Sequence, residues 1–459
     1  MTPANERGAA PAKPAALTQD KELTLEESLQ KLVKAGGFDF LEAVIDGVQN
    51  LNPDRKARKK IFLEEEDKQY ERKALLRKIR LWQELVESSD SVGAILENVQ
   101  ERTESVDTTL NKNIGIALEA TKDLEQAYRS LHLFYKNTEA DKLSNVVILN
   151  ASMDQLTDLD NPRFIEHVAD ELKQNYDRLD LRDNYSLLVI PGYLGSNKVV
   201  ERWAKIAHNN KVMLVTDFAN LDQPDDVIDL FSTANLTGGD AYRSNVIMTC
   251  NWLVGRGRVE EAGEKDALYV PGSAALAGKM YYTLMSQVTA GKKHGGMNEA
   301  DAVRFDLKKS EIAHLERIGL VPMVYEYGKV MAFSAKTLFS GDNIGLQTYS
   351  VVRVFDYVTK VLFDFLNRRA FENWNSKTEQ NLRSQIVQFL DSIQGPERLI
   401  ERFRITRFER DEVVKDRIHL DINITPYFPA KSFIVKLDGH KGEEDATASW
   451  NTEYALQPK

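Results

Sequence analysis

Apolar positions follow two different spacings along the chain. Up to about residue 135 they recur at helical intervals. Thr24-Leu-Glu-Glu27 is a capping signature that opens Leu25, Leu29, Leu32 and Val33 on one helix face. Gly36-Gly37 ends that predicted helix, and a second short one runs from Phe38 to Val48, before Asn52-Pro53. Residues 54–135 read as helical, with Leu75, Ile79, Trp82, Leu85 and Val86 as a stripe expected to be buried and a face of mixed charge expected in solvent.

From residue 145 the spacing changes. Asn145–Asn150, Tyr185–Ile190 and Val212–Thr216 are short, nearly continuous apolar runs, which suit buried strands of a mostly parallel sheet. Helical segments at 161–179 and 197–208 separate them, as in βαβ units. Further helices are predicted at 224–234, 240–253, 271–289, 346–371 and 376–393, and strands at Val321–Tyr325 and Lys329–Phe333 flank Gly328. The end of the chain returns to strands. Phe403–Phe408 is one. Ile418, Leu420, Ile422 and Ile424 then alternate with His419, Asp421 and Asn423, a period of two that puts four apolar side chains on one face. The stretch Ser432–Leu437, with Phe433, Val435 and Leu437, is expected to form a pair with it. A two-stranded hairpin is marginal in water, so this pair needs its own domain's sheet or a strand of another chain.

These patterns imply an α/β fold with a helical N-terminal arm and a mixed or mostly parallel sheet core covered by helices. The expected divisions are a disordered Ala- and Pro-rich tail at 1–22, the arm at 23–135, the core at 136–400 and a C-terminal β-strand region and tail at 401–459. At 459 residues the chain can bury a large core. Its net charge of −10, with no sustained basic segment, argues against a nucleic-acid partner. Cys250 is the only cysteine, which excludes an intrachain disulfide or cysteine-based zinc site and fits a reducing cytoplasm. No signal peptide and no apolar run long enough to insert in a membrane is evident.

Candidate chemistry is sparse. Ile190-Pro-Gly192-Tyr-Leu-Gly195-Ser-Asn-Lys198 follows a strand and precedes a helix, yet matches neither phosphate-loop spacing. Gly291-Lys-Lys-His294-Gly-Gly296 has no strong strand before it and reads as an exposed flexible loop. The histidines at 132, 167, 208, 294, 314, 419 and 440 never pair at i+3 or i+4, so no helical metal face forms. Asp217 reads as a cap or turn residue, and Cys250 as a buried thiol in a helical run. No catalytic, cofactor or metal residue is assigned. For a full α/β core, that favours a structural or assembly role. A phosphate-ligand enzyme using Gly192, Gly195 and Lys198 stands as an alternative.

Several blocks, in order, resemble the large sheath subunit of bacterial type VI secretion systems, the TssC/VipB family, from about residue 115 to 440. Leu124-Glu-Gln-Ala-Tyr128-Arg-Ser-Leu131-His is similar to its E-x-x-W-R-G-L block, and Gly239-Asp-Ala-Tyr242-Arg243 to its E-D-A-R-Y block. Tyr269–Ala275, Ile318–Pro322, Val330–Ala335, the helix 348–371 and Thr425-Pro-Tyr-Phe428 follow in the family's order. Tyr128 replaces a Trp, and Pro191-Gly192-Tyr193 an acidic turn, as in a divergent branch such as that of Bacteroidetes. The resemblance implies a contractile sheath built with a small TssB/VipA-like subunit and further copies of this chain around an Hcp-type inner tube. The sheath would lie in the bacterial cytoplasm, attached through a baseplate to the envelope. A phage-tail-like or extracellular injection sheath is the nearest alternative. It also implies that C-terminal strands pair between subunits, which assigns that role to Ile418, Leu420, Ile422, Ile424, Phe433, Val435 and Leu437. The Leu25–Val33 helix becomes the candidate handle for a ClpV-type AAA+ unfoldase. Arg402, Arg404, Arg407 and Arg410 become candidate contacts to an acidic inner tube, although interleaved carboxylates also suit a solvated face.

Overall fold

The computed structural model describes residues 64–87, 90–138, 143, 145–181, 184–431, 434–440 and 449–455. The expected tail and Leu25, Leu29, Leu32 and Val33 lie outside them, as does Phe433. Val435 and Leu437 are described in backbone only.

Helices α1 (Gln69–Glu87) and α2 (Val92–Lys136) come first, and the chain divides into two compact units between Ile116 and Ala117. In the first unit, none of the residues in 64–116 whose side chains are described is buried. Of the stripe expected to be buried on α1, Leu75, at 45%, Ile79, at 54%, and Val86 are exposed instead, and the side chains of Trp82 and Leu85 lie outside the described ones. The periodicity of that stripe is real, but burial needs a second layer, and the described residues of this unit supply none.

The second unit continues with α3 (Met153–Thr157), α4 (Arg163–Tyr176), β1 (Leu187–Ile190), α5 (Asn197–Asn209), β2 (Met213–Asp217), α6 (Pro224–Ala234), β3 (Val246–Cys250), β4 (Leu253–Arg256) and β5 (Leu268–Val270). Then come α7 (Ser273–Tyr282), α8 (Gly291–His294), α9 (Lys309–Arg317), β6 (Val321–Glu326), β7 (Lys329–Ala332), α10 (Tyr349–Asn367) and α11 (Ser376–Ile393). Strands β8 (Ile400–Arg410), β9 (Ile418–Pro426), β10 (Ile434–His440) and β11 (Ser449–Ala455) follow.

The central sheet has the order β1-β2-β3-β6-β7, with every pair parallel except β6–β7. Side chains on its strands alternate between two cores. Leu214, Val246 and Met248 enter one with Trp203 of α5 and Phe231 of α6. Met213, Val215 and Ile247 enter the other with Leu276 of α7, Leu133 of α2 and Tyr349 of α10. A strand buried on both faces has no polar alternation, which is why these runs are apolar throughout. Tyr327 and Gly328, both at positive φ, make the tight turn joining β6 to β7.

Four expectations are corrected. Residues 145–150 form no strand. Their backbone lies outside the sheet, and Val147 and Ile148 are exposed at 56% and 58%. The helix expected at 240–253 is a 3-10 turn at Ala241–Asn245 followed by the sheet's middle strand β3, because a short apolar run has no period to separate helix from strand. Cys250 is therefore a strand residue, fully buried, and burial pushes its thiol pKa up. Gly291–His294 is a short helical turn rather than a loop, closed where Gly295 N–H donates to the Gly291 carbonyl at 2.8 Å. Last, β9 pairs with β8, and β10 pairs with β11, a strand within the expected polar tail.

Candidate assembly surfaces

The carboxyl ends of parallel strands are where an α/β sheet ordinarily binds ligands, and here Asp217 fills that place. Its carboxylate accepts the Gly192 N–H at 2.9 Å, the Ser273 N–H at 2.9 Å, and the hydroxyls of Ser273 and Thr249. Burial pushes its pKa up, and the four donors oppose that shift. Asp217 thus ties β2 to the turn after β1, to β3 and to the start of α7. The Gly192 amide proposed for phosphate is committed to a carboxylate, and Lys198 is exposed on α5. Among the described residues no cluster of three or more His, Cys, Asp or Glu is arranged to hold a metal.

The C-terminal strands form two separate two-stranded sheets. In the first, Phe403 opposes Ile424 and Ile405 opposes Ile422. Leu420, Ile422 and Ile424 turn inward with Ile400 and Phe408 onto Val354 and Val358 of α10 and Leu382, Ile386 and Leu390 of α11. Ile418, the fourth residue of the alternating set, is exposed. The turn between these strands is built by Asp411, which accepts the Val413 and Val414 N–H groups at 2.9 and 2.8 Å and meets His419 Nε2 at 2.7 Å. His419, with the two amides, holds the Asp411 carboxyl below the usual range. The face turned away from the helices carries Arg402 opposite Thr425, Arg404 opposite Asn423 and Arg407 opposite Asp421. Arg407 pairs with Glu409 at 2.7 Å, and Arg410 donates to the Lys415 carbonyl. The structure therefore gathers three of the four candidate arginines on one exposed face.

The second sheet, β10–β11, runs in register from Ile434↔Ala455 to His440↔Ser449 and pairs with no other described strand. Neither outer edge is paired with a described strand, and an unpaired edge is a template for further strands.

A third surface was not singled out from the sequence. In the second unit, α2 faces the body through buried Ser130 and Leu133, with Arg129 Nη1 donating to the Gly255 carbonyl at 2.8 Å. Arg256 reinforces this through Glu125 at 3.1 Å and Glu264 at 2.6 Å, which holds the Glu264 carboxyl down to about 2. The opposite side carries Leu124, Tyr128, Leu131 and Tyr135, all exposed, at spacings of four, three and four. In the first unit, Leu96, Val99, Val106, Leu110 and Ile114 of the same helix are also exposed. Spacings of three and four are the signature of a helix that packs along another helix. Thr103, Ala117 and Thr121 occupy the intervening positions and mask the repeat when only strongly apolar residues are counted.

Family models match almost the whole chain: the TssC/VipB-like N-terminal region at 25–114, the type VI secretion system TssC/VipB central domain at 116–340 and the TssC/VipB-like C-terminal domain at 348–456. A comparison with curated proteins gives no match. Among solved structures, the chain is similar to one from the helical sheath of the anti-feeding prophage in its contracted state, at 17% identity and a TM-score of 0.47, covering 70% of this chain and 82% of that one. It is similar to one from the baseplate of the same particle at 17% identity and a TM-score of 0.44, covering 67% and 84%. A contracted sheath of an extracellular contractile injection system follows at 14% identity and a TM-score of 0.42, covering 60% and 75%. The family models, which span most of the chain, define the class as a contractile sheath protein. Three successive family models leave no large segment unassigned, and the chain belongs to the TssC/VipB family of type VI secretion sheath subunits.

Proposed function

We propose that this subunit co-assembles with a small TssB/VipA-like sheath subunit and with copies of itself around an Hcp-type inner tube, seated on a baseplate in the bacterial cytoplasm, and propels the tube by contracting. The observation that carries the proposal is the β10–β11 hairpin. A two-stranded sheet is marginal by itself, no other described strand joins this one, and strands added across subunits would extend it. Helical sheaths are heterologous, non-closing assemblies, so each subunit offers one surface to a neighbour's different surface. Hydrogen-bonded strands on a short tether can hold neighbours together while the α/β bodies change their packing.

The exposed stripe on α2 suits a helix of the small subunit, and the open strand edges suit neighbouring sheath subunits. The face bearing Arg402, Arg404 and Arg407 is the proposed contact to the inner tube. Leu25, Leu29, Leu32 and Val33 remain the proposed handle for a ClpV-type unfoldase. Contraction draws on a metastable extended packing, in which small differences per subunit sum over many copies. The test is to delete 434–455 and coproduce the chain with its small partner. Loss of tubules with the remaining chain still folded supports the proposal, whereas normal tubules contradict it.

A further inference from the structure

Arg353 lies near the start of α10 and is 7% exposed. A guanidinium has five N–H donors and no acceptor. Arg353 Nη2 donates to the Met280 carbonyl at 3.2 Å, while Nε and Nη1 have no partner. Burial without a counter-charge pushes its pKa down to about 10. Such a group is rare in a folded chain, because an unmatched buried charge opposes folding.

Arg353 is also one of the residues lining a cavity of about 450 Å³ at the amino ends of β1 and β2. The other charged side chains of that cavity each have a polar partner. Asp356 accepts from Asn245 Nδ2 at 2.8 Å and lies 3.9 Å from Lys211. Lys360 donates to the Tyr185 carbonyl at 2.6 Å. Asp364 accepts the Leu181 N–H at 3.0 Å and pairs with Arg368 at 2.5 Å. Lys211 and Lys360 are cations too, but among the described lining cations Arg353 is the one with buried nitrogens that no group accepts from. Asn184, whose side-chain oxygen also lacks a partner, can turn its NH₂ group toward an incoming anion. Leu181, Met285, Tyr357 and Val361 form apolar walls, and Leu284 beside them is exposed. The space exceeds the roughly 30 Å³ share of a single water. Its mixture of apolar wall and unmatched cation suits an acidic side chain with its carbon stem.

We propose that this cavity receives an Asp or Glu side chain from an adjoining subunit, whose carboxylate accepts hydrogen bonds from Arg353. The inference rests on the sheath reading above, since assembly supplies the second chain. It is tested with the full chain carrying R353M or R353K, by thermal unfolding before assembly and by the fraction that sediments as sheath. Removing a buried charge that has no partner is neutral or stabilising. R353M is therefore expected to keep or raise the unfolding temperature of the unassembled chain, yet to cut assembly by about tenfold or more at fixed concentration. R353K, which keeps the cation, retains part of the assembly. Three results would overturn the proposal: R353M assembling like the unchanged chain, R353M lowering unfolding temperature and assembly together, or millimolar acetate raising the unfolding temperature of the unchanged chain but not of R353M. The last would mean that the cavity takes a free carboxylate. An unchanged chain that never sediments would instead overturn the sheath reading, and this inference with it.

Discussion

The Asp217 carboxylate and the Gly192 N–H meet at 2.9 Å across the carboxyl ends of β2 and β1. Gly192 sits at φ +104°, a conformation that side chains rarely adopt. The bond therefore closes a turn that has no Cβ to hold it. Asp217→Ala leaves four donors unpaired and is expected to cost roughly 3–5 kcal/mol in denaturant unfolding, the range for breaking a buried charged network. Ser273→Ala, which removes one hydroxyl donor, costs about 1 kcal/mol.

Lys360 supplies a pH signature. Burial pushes its pKa down to about 8 from an ordinary 10.5. The folded chain then binds fewer protons than the unfolded chain between those values. Stability is expected to rise as pH increases from about 8 to about 10.5, with a contribution of at most about 1.4 kcal/mol per pH unit. Lys360→Gln removes that contribution. The difference between the two chains, measured by urea unfolding across this window, isolates it from other titrating groups.

The α2 stripe separates folding from association. Leu124 and Tyr128 are exposed at 70% and 67%, so Leu124→Glu and Tyr128→Glu should change stability by no more than about 0.5 kcal/mol. Both are expected to abolish co-purification with the small sheath subunit. Unchanged co-purification would remove the stripe from the interface.

The inward faces of the C-terminal strands make the opposite prediction. Leu390 of α11 is fully buried against β8. Leu390→Ala should cost about 2–5 kcal/mol by leaving a cavity. Arg404→Glu on the outer face should leave unfolding within about 0.5 kcal/mol while altering sheath formed around an inner tube.

Much of this fold was legible in the sequence. Helix α11 runs over the expected residues 376–393, where Asn375 accepts the Thr378 N–H as its cap. Strands β1 and β2 are apolar enough to announce two buried faces. Strand β3 was not, because Val246-Ile-Met-Thr-Cys250 has the length and composition of either element. Pairing was the least legible feature. Ile418–Ile424 and Ile434–Leu437 are adjacent in sequence, so they look like one hairpin. Yet β9 turns back onto β8 through the Asp411 turn, and β10 finds β11 among polar residues. Arg353 carried no motif. Its significance comes from the donors that the folded chain leaves without partners, which a one-dimensional pattern does not contain. The unfoldase handle falls on residues outside the described ones.

The most direct measurement is electron microscopy of this chain coproduced with its small sheath subunit. The account predicts long striated tubules that contain both chains and vanish when 434–455 is removed. A stable, monodisperse monomer with no tubules would contradict it.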